Sequence, residues 1–181
     1  MRVLGSLALL VASAASAAAA PTGVTIRQDS DPAMTVGETV IDGDPADVFA
    51  AVCDYRKWTE IMPDVARVEV SDQHGNDAHV TLIAPSGHRD NLVFHNQPQA
   101  RLIYFEDTGN HGRADVWAEI VFAPGESPAS TRVHIRLYAK MHGVATLVVH
   151  EGTVRDQREQ KIAAELVHIR DYFRRRVARS N

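Results

Sequence analysis

Residues capable of bond chemistry are scattered along this chain rather than gathered into a motif. Nine histidines in 181 residues invite a metal reading, but there is no His-Glu-x-x-His, and a single cysteine, Cys53, excludes thiolate clusters. Glu165-x-x-His168 matches half of a di-iron pattern, which needs a second copy and further glutamates from a four-helix bundle. It is read as a solvated helix face, so no metal and no cofactor are expected. Gly-x-Ser-x-Gly, a phosphate-cradling glycine loop and Gly-x-Gly-x-x-Gly are absent, so nucleotide chemistry is unsupported. What remains for acid–base or recognition chemistry is Arg158, Tyr104, His95 and Glu151, each of which needs a place inside a pocket where burial shifts its pKa. For each, a surface or rim position is the competing reading, because strand facing slips by one residue at a bulge. Arg158 leads, since helical spacing points it inward, where a guanidinium would hold a carboxylate, phenolate or quinone oxygen.

The element carrying Arg158 is a long amphipathic helix. Ile162, Leu166, Ile169, Phe173 and Val177 recur at helical spacing. Extended backwards, the stripe meets Arg158, then Val154 or Arg155, then Glu151, so its middle is polar. The helix begins near Val144 or near Thr153; Val-Ala-Thr-Leu-Val-Val also reads as strand, and Gly152 weakens a continuous helix. Upstream, Val24 to Ile26 and Thr35 to Ile41 read as strands, the second ending at Asp42-Gly43. Asp44 as N-cap and Pro45 in the first turn start a helix through Val48, Phe49 and Val52. A second helical turn, Lys57 to Met62, is stopped by Pro63.

Residues 65 to 141 then read as an antiparallel meander. Its strands are Val65 to Val70, Ala78 to Ile83, His88 to His95, Leu102 to Phe105, Asp115 to Phe122 and Thr131 to Met141, with a turn over Asp72 to Asp77. Parity sets Val133, Ile135, Leu137, Ala139 and Met141 on the inner face with Val116, Ala118, Ile120 and Phe122. Asp115, Trp117 and Glu119 lie outside, in reach of Arg132, His134 or Arg136. The last helix is the cover of the inner face.

The length fits one domain, and 45% hydrophobic with 23% charged residues is ordinary for a globular protein. A net charge of -4 argues against a nucleic-acid partner. Met1 to Ala19 has the charged, apolar and small-residue parts of a secretory signal peptide, with an apolar core too short to span a membrane. Export with cleavage near Ala19 is expected, to the periplasm or beyond. Cys53 is then a buried thiol, not a disulfide partner. From Arg155 to Arg179 there are eight basic against four acidic residues. Arg174, Arg175 and Arg176 either complement the helix macrodipole on a solvated face or dock transiently on anionic lipid headgroups.

The run from Asp44 to Val52, then Asp54-Tyr55, Trp58, Met62-Pro63-Asp64-Val65 and Val68, resembles the opening of START-like (SRPBCC) proteins, in the branch of coenzyme Q-binding proteins and polyketide cyclases. Arg101-Leu102-Ile103-Tyr104, the strand around Trp117, Thr131-Arg132-Val133 and Ile169-Arg170-Asp171-Tyr172-Phe173 continue the likeness over roughly residues 35 to 176. The resemblance implies an α+β helix-grip fold, a curved antiparallel sheet wrapped around the C-terminal helix with an apolar cavity between them. The expected division is 1–19 leader, 20–33 linker or extra strand, and 34–178 the START-like domain. A superfold hosts many functions.

The first functional reading is an exported monomeric carrier of an apolar small molecule: a lipid, isoprenoid quinone or polyketide-like aromatic. The second is a cyclase or dehydratase using polar groups of the same cavity; the third is an interaction domain with a filled pocket. The residues expected to line the cavity are Tyr55, Trp58, Met62, Tyr104, Ala118, Ile120, Ile135, Leu137, Met141, Val154 and Arg158. The leader makes its own prediction. N-terminal sequencing of protein from the envelope fraction should read from close to Ala20, and an intact Met1 on soluble cytoplasmic protein would contradict it.

Overall fold

Strand-forming segments and short turns build most of the chain, and the computed structural model describes residues 23–109, 113–127, 129–143 and 150–180. The proposed leader and cleavage site, and the stretch 144–149 that holds the earlier of the two expected helix starts, lie outside these residues. Strands β1 (Val24–Gln28), β2 (Met34–Asp42), β3 (Arg67–His74), β4 (Asp77–Ile83), β5 (Arg89–Gln97), β6 (Leu102–Asp107), β7 (Ala114–Pro124) and β8 (Ser130–Met141) form one antiparallel sheet. Its order is β1-β2-β8-β7-β6-β5-β4-β3. The long connection from β2 to β3 holds α1 (Pro45–Cys53), a 3-10 turn at Tyr55–Lys57 and α2 (Trp58–Ile61); α3 (Glu151–Ser180) follows β8. The expected helix-grip fold is thus present.

Local chemistry explains the starts and stops. Asp44 caps α1 by accepting from the Ala46 N–H at 2.8 Å, with Pro45 where a missing N–H costs nothing. The expected six-residue turn after β3 is shorter in the structure. His74 pairs with Asp77 across a two-residue turn, Gly75-Asn76, with Gly75 at φ +59° as a tight hairpin requires. A bulge between Val70 and Asp72 absorbs the extra residue, which is why alternation alone ended this strand early.

The expected facing of β7 and β8 holds. Val133, Ile135, Leu137 and Ala139 are buried on the inner face. Outside, Arg136 pairs with Glu119 at 3.0 Å and the Trp117 and Tyr138 rings stack at 5.3 Å. Ile162, Leu166 and Ile169 of α3 are fully buried against this sheet, each worth roughly 1.5–3 kcal/mol. The stripe ends at Phe173, earlier than the spacing suggests: Val177 is 43% exposed because α3 outruns the sheet it covers. At the other end it is Val154, not Arg155, that is buried.

The helix seats on β2 at a residue without a side chain. A Cβ on Gly37 would lie 2.1 Å from Ile162 Cγ2 and 2.8 Å from Leu166 Cδ1. Overpacking of this kind costs about 1–3 kcal/mol. Gly37→Ala should lower stability by that amount in chemical denaturation. In the Gly37→Ala/Ile162→Ala double variant the two losses should be less than additive; full additivity would mean that the seat is not where the helix bears on the sheet.

Candidate functional site

Cavity, charge and burial coincide at the N-terminal end of α3. A cavity of about 410 Å³ lies between the β1–β2 loop (Asp31, Pro32, Ala33), the end of β8 (Tyr138 to Met141) and Glu151, Val154 and Arg158 of α3. That volume is within the range of small-molecule sites. Arg158 forms its floor, with only 1% of its surface exposed. Its Nε donates to Thr35 Oγ1 at 3.1 Å, one terminal nitrogen to the Ala139 carbonyl at 3.0 Å and the other to the Pro32 carbonyl at 2.6 Å. Two segments remote in sequence, Pro32 to Thr35 and the end of β8, are therefore tied to α3 by one guanidinium. Burial holds its pKa below the ordinary arginine value, against the pull of Glu151, Asp31 and Glu159.

Of the residues expected to line a cavity, the structure brings Met141, Val154 and Arg158 together, and Glu151 with them. Ala118, Ile120, Ile135 and Leu137 face inward as expected but are buried in the packed core beneath α3, away from this cavity. Tyr55, Trp58 and Met62 belong to the same core. The Tyr55 ring lies 4.4 Å from Phe94 and 5.7 Å from Trp58, its hydroxyl donates to Asn96 Oδ1, and Trp58 Nε1 donates to the Val52 carbonyl. Their polar tips are satisfied inside the fold.

Tyr104 needs correction. It pairs with Glu119 in the register, which puts it on the outer face, where its ring stacks on His95 at 5.8 Å and lies 6.0 Å from Trp117. His95 is outside with it and pairs with Asp77 at 2.9 Å. Cys53 is half-buried and its thiol is pushed up to about 12 by burial, which makes it a poor nucleophile.

The reading of Glu165 and His168 as a solvated helix face is also corrected. Lys161 Nζ lies 3.3 Å from both Asp64 and Glu165, and the side chains of Lys161 and Glu165 are mostly covered. Burial opposes the Lys161 charge, but Glu165 and Asp64 outweigh it and raise its pKa above 10.5. On the neighbouring strand Asp90 faces inward, 2.9 Å from His88, and burial raises its carboxyl pKa above 3.8. His168 Nδ1 is buried without a hydrogen-bond partner. This half-buried acid–base cluster gave no sequence signal, because Asp64, His88, Asp90 and Lys161 meet only through the fold. No group of His, Cys, Asp and Glu suited to a metal ion occurs among the described residues.

A family model described as polyketide cyclase / dehydrase and lipid transport matches residues 33–173. No curated protein matches. Among solved structures, an aromatase/cyclase, Zhui, from a Streptomyces species superposes with TM-score 0.65 at 14% identity, over 84% of this chain and 96% of that one. A STAR-related lipid transfer protein from Xanthomonas axonopodis gives 0.63 at 15% identity, over 87% and 97%. A START superfamily protein from Mycobacterium smegmatis gives 0.64 at 10% identity, over 78% and 97%. These likenesses concern the fold.

Two half-buried histidines set a pH dependence. Burial holds both His134 and His168 below the ordinary 6.5. A histidine with a lowered folded pKa stabilises the fold fully above the unfolded value and loses that contribution as pH falls through the folded one. Asp90, with its raised pKa, acts in the opposite sense, and comparing wild type with a histidine variant removes its share. The melting temperature should therefore fall as pH drops from about 7.5 to 5, and His168→Gln should shrink the fall. Identical pH profiles for the two proteins would contradict the burial of His168.

Proposed function

The chain belongs to the polyketide cyclase / dehydrase and lipid transport family, and from that premise we propose that it is an exported carrier of an apolar small molecule, held in the cavity at the N-terminal end of α3. The ligand class is a lipid, an isoprenoid quinone or a polyketide-like aromatic. The observation that carries this reading is the cavity itself: about 410 Å³, with Met141, Val154 and Ala139 as its apolar wall and a buried cation at its floor. A family whose description covers both cyclisation and lipid transport supports binding of such molecules without choosing between them.

Export rests on the signal-peptide pattern of Met1 to Ala19. The protein acts as a monomer, and it touches anionic membrane transiently through Arg174, Arg175 and Arg176. These arginines are exposed on the projecting end of α3, and the field of Arg176 reaches Lys57 of the 3-10 turn, beside Arg56. Basic side chains near an anionic surface contribute about 1 kcal/mol each. The second reading, a cyclase or dehydratase, is favoured by one observation, the inward-facing His88–Asp90 pair beside Lys161.

Filling the cavity tests the carrier. Met141 lines it and is only half-buried, so Met141→Trp has room for its indole. Thermal stability should hold within about 1 kcal/mol, while the affinity for a fluorescent fatty acid falls at least tenfold. Native mass spectrometry of wild-type protein from its own envelope should show a bound lipid that the variant lacks. Unchanged affinity in a stably folded Met141→Trp would overturn this location of the site.

A further inference from the structure

Arg158 is the largest fully buried side chain among the described residues, yet no carboxylate among them lies within ion-pair distance of it. A buried cation without a counter-ion is costly; of the carboxylates whose field reaches Arg158, Asp31 and Glu159 are engaged by other donors, and Glu151 lines the cavity beyond ion-pair distance. The Asp31 carboxylate accepts the Ala33 N–H at 2.8 Å, fixing the β1–β2 loop. Glu159 accepts from Gln28 Nε2 at 2.6 Å and sits near Arg155. Glu151 is exposed in the first turn of α3, where an acidic residue favours the helix dipole.

The hydrogen bonds of Arg158 are all to neutral oxygens: a hydroxyl and two carbonyls. A guanidinium carries five N–H donors. Three are used, and two remain on a side chain that lines the cavity. The geometry points to Arg158 as the recognition point for the acid headgroup of an amphiphile, a carboxylate that enters the cavity and supplies the missing counter-ion while its chain lies along Met141 and Val154. This inference rests on the binding reading above and deepens it from an apolar ligand to an acidic one. The hydrogen bonds to Thr35, Ala139 and Pro32 give the guanidinium a fixed orientation before ligand arrives, which lowers the ordering cost of binding. Asp31 and Glu151 oppose the same anion across the cavity, so they limit affinity and disfavour a second negative charge on the ligand.

The test compares dodecanoic acid with dodecan-1-ol, chains of the same length, by titration calorimetry at pH 8, where the acid is ionised. Wild-type protein should prefer the acid at least tenfold, the margin of a charge-assisted over a neutral hydrogen bond. Arg158→Met should abolish that preference. Because this variant removes a buried cross-link and is at risk of misfolding, Glu151→Gln and Asp31→Asn provide the second arm: each should raise the acid-to-alcohol affinity ratio several-fold. Equal binding of acid and alcohol to wild type, or a ratio unmoved by both acidic-residue variants, overturns the headgroup assignment and leaves the carrier reading standing. Binding of neither probe overturns the carrier reading, and the headgroup assignment with it.

Discussion

The bearing of α3 on Gly37 is the constraint from which the other features of this molecule follow. With no Cβ there, Ile162 and Leu166 come down onto the backbone of β2, and the helix has one permitted height above the sheet. The inner side chains of β2 on either side of it are Thr35 and Thr39, short enough to keep that height along the strand. Two residues of strand span about 6.7 Å and four residues of helix about 6 Å. Arg158 over Thr35 and Ile162 over Gly37 therefore keep step. The polar hydrogen bond of Arg158 and the apolar seat of Ile162 are successive contacts of one matched interface.

A helix seated so low leaves no room for a ligand where the sheet is closest. Ile135, Ala118 and Ile120 are almost wholly buried, and the apolar stripe of α3 fills the inner face above them. Among the described residues, space opens towards the end of β8, where Ala139 and Met141 are no longer faced by the apolar stripe and the helix presents Val154 and Arg158. A tight middle and an open end are two results of the same contact. The other flank of α3 meets Asp64 through Lys161, which also pairs with Glu165 on the helix, so the helix is held on both sides by groups of different chemistry.

Much of this was legible in the sequence because it rests on short-range rules. Asp44-Pro45 marks a helix start whatever surrounds it, and the long alternating strands β7 and β8 have enough residues for parity to be secure. The stripe from Val154 to Phe173 likewise places Arg158 inward. Tyr104 was misplaced because β6 is short and nothing local separates its two faces; only pairing with Glu119 across β7 puts it outside. The polar flank of α3 failed for a related reason. Lys161, Glu165 and His168 have the spacing of a solvated face, and their partners Asp64 and Asp90 arrive from segments about a hundred and about seventy residues away. The seat was invisible, since Gly37 within a strand signals close approach without naming what approaches, and the expected cavity lacked only its place at the end of β8.

The charge of the last helix shows why counting residues misleads about function. Its thirty residues span about 45 Å, and Arg158 and the arginines of its last turns occupy environments with opposite physics. Arg174, Arg175 and Arg176 are exposed beyond the sheet, where water and salt screen them over about a Debye length and any effect is collective. Arg158, four helical turns back, is removed from water, held by three neutral acceptors and faces a cavity. There the effective dielectric is lower, one charge acts singly, and its orientation is fixed by Thr35, Ala139 and Pro32. The net positive charge of this segment therefore combines a diffuse field at one end with a single directed donor at the other. Only the second has the geometry to distinguish one small ligand from another.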